Sequence, residues 1–166
     1  MKTHRFSLII FILFSLVSCS PINLKNPDDV GKKAFKMLKN INNHTDGHNH
    51  PRDQFIDGLI SYYDLKIFGE KNNIKSIISL NLLEFADGER KGYNDIKYFG
   101  GENGIDWEEI TYIDYVYEST TDPKGTPWLK GELFFKFDGK TYKARIGSIY
   151  TGERYEITVI QIRNIK

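Results

Sequence analysis

The chain has 166 residues, with 23 basic and 22 acidic side chains and a formal net charge of +1. That balance offers no basic excess for a nucleic-acid backbone. A 40 % hydrophobic and 14 % aromatic composition, with Phe and Tyr persisting toward the C-terminus, excludes a disordered chain. The length is that of one domain, and a single cysteine, Cys19, excludes an internal disulfide, so packing must hold the fold.

Lys2 and Arg5 make a basic start, and Phe6 to Val17 form an apolar run shorter than the roughly twenty residues of a membrane-spanning helix. This is the layout of a secretory signal. The run ends in Leu16-Val17-Ser18-Cys19, with Leu three before the cysteine and small Ser just before it, which resembles the lipobox of bacterial lipoproteins. The resemblance implies cleavage before Cys19, a diacylglyceryl group on its sulfur and, usually, acylation of the new amino terminus. Residues 1–18 are then expected to be a signal peptide, 19–25 the lipidated cysteine and a tether, and 26–166 a single domain. Such a domain would be anchored to a membrane of the bacterial cell envelope, facing the periplasm or the cell surface. Loss of Lys2 and Arg5 with the signal takes the formal charge from +1 to −1.

Helix signals follow the tether. Asn26 suits an N-cap, Pro27 the first helical position, and Asp28 and Asp29 the positive end of the helix dipole. Val30, Ala34, Met37, Leu38 and Ile41 fall on one helical face, with Lys32, Lys33, Lys36 and Lys39 off it. A polar stretch, "NNHTDGHNHPRD", interrupts this pattern and predicts a loop. Phe55, Leu59 and Ile60 predict a short helical turn. Ser61 then caps "YYDLKIFG", with Gly69 at its end, and Asn73 caps a helix carrying Ile74, Ile77 and Ile78. Helical character continues through Tyr93, Ile96 and Phe99 to Gly100 and Gly101, with breaks expected at Gly88 and Gly92.

From Asp106 the period changes to two. "EITYIDYVYES" alternates as a strand does, with Ile113, Tyr115 and Tyr117 on one face and Ile110, Tyr112 and Val116 on the other. "DPKGTPW" is a loop. In "GELFFKFDGKTYKARIG", Asp138-Gly139 suits a two-residue type I′ turn. Pairing Phe137 with Lys140 sets Phe135 against Tyr142 and Leu133 against Ala144 on an oily face. Glu132 then meets Arg145, Phe134 meets Lys143 and Lys136 meets Thr141 on a mixed face. A turn near Gly152 brings in a last strand, with Ile157 and Val159 expected on the oily side. Ile160 and Ile162 have the opposite parity, which requires a bulge or cover on both faces.

The expected fold is therefore α+β, with N-terminal helices packed on one face of a C-terminal antiparallel meander of about four strands. In element order it resembles the cystatin-like and NTF2-like folds, where a curved sheet wraps around helices. In overall plan it is similar to many small bacterial lipoproteins of unassigned function. Neither likeness implies an activity.

Few residues suggest chemistry. His44, His48 and His50 carry metal-binding atoms, with Asp46 or Asp53 as a possible fourth ligand, but H-x3-H-x-H is not a standard zinc spacing and the stretch reads as a solvated loop. No metal or other cofactor is expected. There is no free thiol after lipidation and no G-x-S-x-G elbow for a hydrolase. The carboxylate pairs Asp87/Glu89 and Glu108/Glu109 read as surface charge. "FGGENG" precedes a strand, the reverse of a phosphate loop, and reads as a helix end and a turn. The aromatics Tyr112, Tyr115, Tyr117, Trp128, Phe135, Tyr142 and Tyr155 are expected mostly in the core, and Tyr142 is the one hydroxyl expected on the oily face. The resulting expectation is a lipid-anchored, non-catalytic binding or interaction protein. Its partners would be the membrane, through the lipid at Cys19, and an unknown envelope protein or small ligand. Recognition is expected at exposed loops or on the mixed face around Phe134, Lys136 and Lys143. An envelope enzyme using the interior of the sheet is the alternative, and metal binding through the three histidines is the third reading. Gly139→Val places a β-branched side chain where φ should be positive, and is expected to cost about 1–3 kcal/mol in urea unfolding.

Overall fold

The computed structural model describes residues 24–42, 50–121 and 127–163. Cys19 and its lipobox, His44, Asp46 and His48 lie outside these residues. The elements run in the order α1 (Pro27–Lys39), α2 (Pro51–Asp57), α3 (Tyr62–Lys71), α4 (Lys75–Ile78), α5 (Leu82–Asn103), β1 (Thr111–Thr121), β2 (Pro127–Phe137), β3 (Lys140–Tyr150) and β4 (Tyr155–Arg163). The fold is α+β, with one open antiparallel sheet in the order β1-β2-β3-β4.

The helices begin largely where side chains can satisfy their free N–H groups. Asn26 accepts from the Asp28 amide at 3.1 Å, and Ser61 accepts from the Asp64 amide at 3.1 Å. Asn81 and Glu84 form a reciprocal capping box at the start of α5. α5 ends at Gly104, whose φ of 63° lets the Ile105 amide reach the Gly100 carbonyl at 2.9 Å.

Three helical expectations are corrected. Gly69 does not end α3, which runs on to Lys71; its missing Cβ makes room for the Ile77 side chain. Asn73 does not cap α4. It takes a positive φ of 54° and closes α3, with the Ile74 amide bonded to the Gly69 carbonyl at 2.8 Å, and α4 starts without a side-chain cap. Gly88 and Gly92 do not break α5, because the capping box, the buried Tyr93 and Ile96 and the left-handed Gly104 hold it continuous.

The β2–β3 hairpin has the predicted register throughout, Phe137 against Lys140, Phe135 against Tyr142, Leu133 against Ala144 and Glu132 against Arg145. Asp138 and Gly139 take φ values of 45° and 74°, as a type I′ turn requires. Bulges alter the outer strands. In β1 the pairing skips Ile113, so Tyr112, opposite Phe135, shares a face with Tyr115 and Tyr117. In β4 the extra residue is Thr158. Ile157 faces the oily side opposite Ser148, but Val159 leaves it, and Ile160 and Ile162 take their places opposite Ile146 and Ala144.

The main core forms where α1 crosses the sheet. Val30, Ala34, Leu38 and Ile41 of the predicted stripe are fully buried, packed with Leu133, Phe135, Ala144 and Ile146. Each such aliphatic side chain larger than alanine stabilises by about 1.5–3 kcal/mol. A second, smaller core gathers Leu65 and Phe68 of α3 and Ile77 of α4 around Ile149, with Trp128 packed against it. α1 approaches closely because Gly31 has no Cβ, and the Tyr115 ring fills that space while lying across Gly131 of β2.

Gly131→Ala would drive a methyl into the Tyr115 ring, and is expected to lower stability by about 1–3 kcal/mol. Gly101→Ala lies in an exposed helical turn with nothing within 4 Å of the added Cβ, and is expected to raise it by about 0.5–1 kcal/mol. Urea unfolding of the two variants should shift in opposite directions.

Candidate functional site

The interior of the sheet is packed. Leu133, Phe135, Ala144, Ile146 and Ile157 are 0 % exposed, and Tyr142 is stacked on Phe135 with ring centroids 5.5 Å apart. Tyr142 is not the only hydroxyl there, because Tyr115 and Ser148 lie on the same face. The Tyr115 hydroxyl and Ser148 Oγ are buried without a hydrogen-bond partner among the described residues, and burial pushes the Tyr115 phenol well above its usual range. Tyr115 and Tyr142 pack into the same buried cluster as Leu133, Phe135 and Ile146, so this face is core.

An apolar concavity lies elsewhere, between α5 and β4, with a volume of about 400 Å³. Phe85, Gly88, Glu89 and Gly92 form the α5 wall, and Thr158, Val159 and Ile160 the β4 wall. Phe55, Leu59, Leu65, Ile77, Leu80 and Trp128 complete a lining that is mainly apolar. Its openness follows from sequence: Gly88 and Gly92 have nothing within 4 Å of where a Cβ would stand, so two successive turns of α5 leave space unfilled. The volume lies within the range of small-molecule sites.

Glu89 is the distinctive group in this cleft. Burial against the apolar walls, with the Asp57 carboxylate as a second cause, raises its carboxyl from 4.5 to about 7. The cations next to it in sequence are engaged elsewhere, Arg90 with Asp87 and Lys91 with Asp95 at 2.6 Å. Glu84 also lines the cleft, but its carboxylate accepts from the Asn81 amide at 3.4 Å. Thr158 Oγ1, on the opposite wall, is buried without a hydrogen-bond partner among the described residues.

Reading Asp87 and Glu89 together as surface charge misses this arrangement. Two residues apart on a helix they point in different directions. Glu89 falls in the series Phe85, Glu89, Tyr93, Ile96, which is the inward stripe, and that spacing was the available signal. Glu108 and Glu109 are exposed, as expected of surface charge, and "FGGENG" is the end of α5 and its turn.

The other sequence candidates are dispersed. His50, the one histidine of its group among the described residues, caps α2 by accepting from the Arg52 amide at 3.2 Å through Nδ1. On the mixed face Lys143 pairs with Glu132 at 2.9 Å beside half-buried Phe134, and Lys136 is exposed. A charged hollow of about 570 Å³ lies between α3 and the β3–β4 turn, lined among others by Asp64, Lys71, Glu153 and Arg154. Comparison with known proteins returns no match among family models, curated proteins or solved structures.

Because Glu89 holds its proton more tightly in the folded chain than in the unfolded one, its contribution is fully present below about pH 4.5 and is lost as pH rises to about 7. Glu89→Gln removes that loss. Urea unfolding is expected to show the variant more stable than the parent at about pH 8 by about 1 kcal/mol, a figure reduced for partial solvent screening, and equal to it near pH 4.

Proposed function

We propose that this chain is a lipid-anchored binding protein of the bacterial cell envelope that takes a small apolar ligand into the cleft between α5 and β4 without transforming it. The observation that carries the binding reading is the cleft itself, an apolar hollow of about 400 Å³ beside a sheet whose interior is full. The resemblance of Leu16-Val17-Ser18-Cys19 to a lipobox supports the anchor and the envelope location. Against catalysis, among the described residues no histidine, serine or second carboxyl is hydrogen-bonded to Glu89 to serve as a partner in proton transfer. A second reading as an enzyme draws on the same residue, since a carboxyl near 7 in a cleft suits a general acid or base. It would place the active site in this cleft instead of the sheet interior.

Two substitutions test the two halves of the proposal. Cys19→Ala is expected to abolish labelling by a fatty-acid analogue and to move the chain from the membrane fraction to the soluble one. An unlabelled variant that still sediments after a high-salt wash would show that something other than lipid holds it. Gly92→Leu grows a side chain into the empty turn of α5. It is expected to remove binding of 1-adamantanol by the full chain, read by saturation-transfer NMR, while the unfolding midpoint is kept.

A further inference from the structure

We propose that the ligand of the α5–β4 cleft is an apolar molecule bearing a single amine, with the ammonium group held by Glu89. This rests on the cleft being the binding site, and specifies the chemistry it selects.

The walls carry charge of one sign. Glu84 and Glu89 line the cleft, the field of Asp57 reaches Glu89 from α2, and among the described residues no lysine, arginine or histidine is part of the lining. The cations next to Glu89 in sequence pair with other carboxylates, Arg90 with Asp87 and Lys91 with Asp95. A carboxylate partly buried in a cleft that Phe85 and Leu80 also line, with no counter-charge in the lining among the described residues, costs folding free energy, and an ammonium entering with its hydrocarbon part on Val159 and Ile160 offsets that cost twice. It supplies the missing ion pair in a partly dry site, and it buries apolar surface. An anionic amphiphile such as a fatty acid would meet the same carboxylates as repulsion.

The test uses three adamantanes that share one hydrocarbon cage, 1-aminoadamantane, 1-adamantanol and adamantane-1-carboxylate. They are titrated calorimetrically into the full chain held in phosphatidylcholine nanodiscs at about pH 8, with empty nanodiscs as the blank. The amine is expected to bind at least about tenfold more tightly than the alcohol, and the carboxylate more weakly than both. Glu89→Gln is expected to bring the amine down to the alcohol while leaving the alcohol unchanged, and Asp57→Asn to weaken the amine alone by a smaller factor. Gly92→Leu should remove all binding. If amine and alcohol bind equally and both are lost in Gly92→Leu, the amine is overturned while the cleft stands. If none of the three binds, or Gly92→Leu changes nothing, the cleft reading fails and the amine with it.

Discussion

The close approach of α1 to the sheet depends on a ring lodged between two glycines. Tyr115 occupies the space that Cβ atoms of Gly31 on α1 and Gly131 on β2 would need. With either methyl present the helix would have to lift, and Val30, Ala34 and Leu38 would separate from Leu133, Phe135 and Ile146. Protein interiors pack too densely to absorb such a shift without voids. The arrangement leaves the Tyr115 hydroxyl buried with no partner among the described residues, a cost the surrounding apolar burial must outweigh. Filling the interior in this way is also what leaves α5 and β4 as the place for an apolar hollow.

That hollow has its own energetic logic. Gly88 and Gly92 in the body of α5 each sacrifice about 1 kcal/mol of helix propensity relative to alanine. The helix survives because both of its ends are well capped and its C-terminal half is anchored by Tyr93, Ile96 and the contact of Gly100 with Trp107. Stability is thus concentrated away from the turns that line the cleft, and the turn carrying Glu89 is left with a carboxylate whose charged form the fold disfavours. A site held on rigid neighbours but left unfilled is the usual shape of a binding hollow.

How far the sequence could be read follows from how locally each feature is determined. The β2–β3 register was legible because Asp138 and Gly139 demand one turn type, and that turn fixes each pair back to Leu133 and Ala144. The α1 stripe was legible from periodicity and the Asn26-Pro27 start. The bulges at Ile113 and Thr158 were not located, because an inserted residue leaves no local mark and is decided by what the strand packs against. For β4 only the clash of parity between Ile157 and Ile160 hinted at it. The cleft was illegible for a related reason. Its walls come from α2, α3, α4, α5, β2 and β4, and only the docking of all of them creates it. Glu89 was within reach, one helical turn from Phe85 and one from Tyr93, but acidic residues on a helix are so often solvated that the stripe was read without it.

The two edges of the sheet are unlike each other. At the start of β4 two outer backbone groups are already used, the Tyr155 amide by the Leu24 carbonyl and the Ile157 carbonyl by the Ile60 amide, both at 2.8 Å. Along β1 no strand pairs among the described residues, yet the ladder is bent at Ile113 and carries Asp114 and Glu118. If two copies joined antiparallel about Val116, Asp114 of each would face Glu118 of the other, a like-charge pair repeated twice.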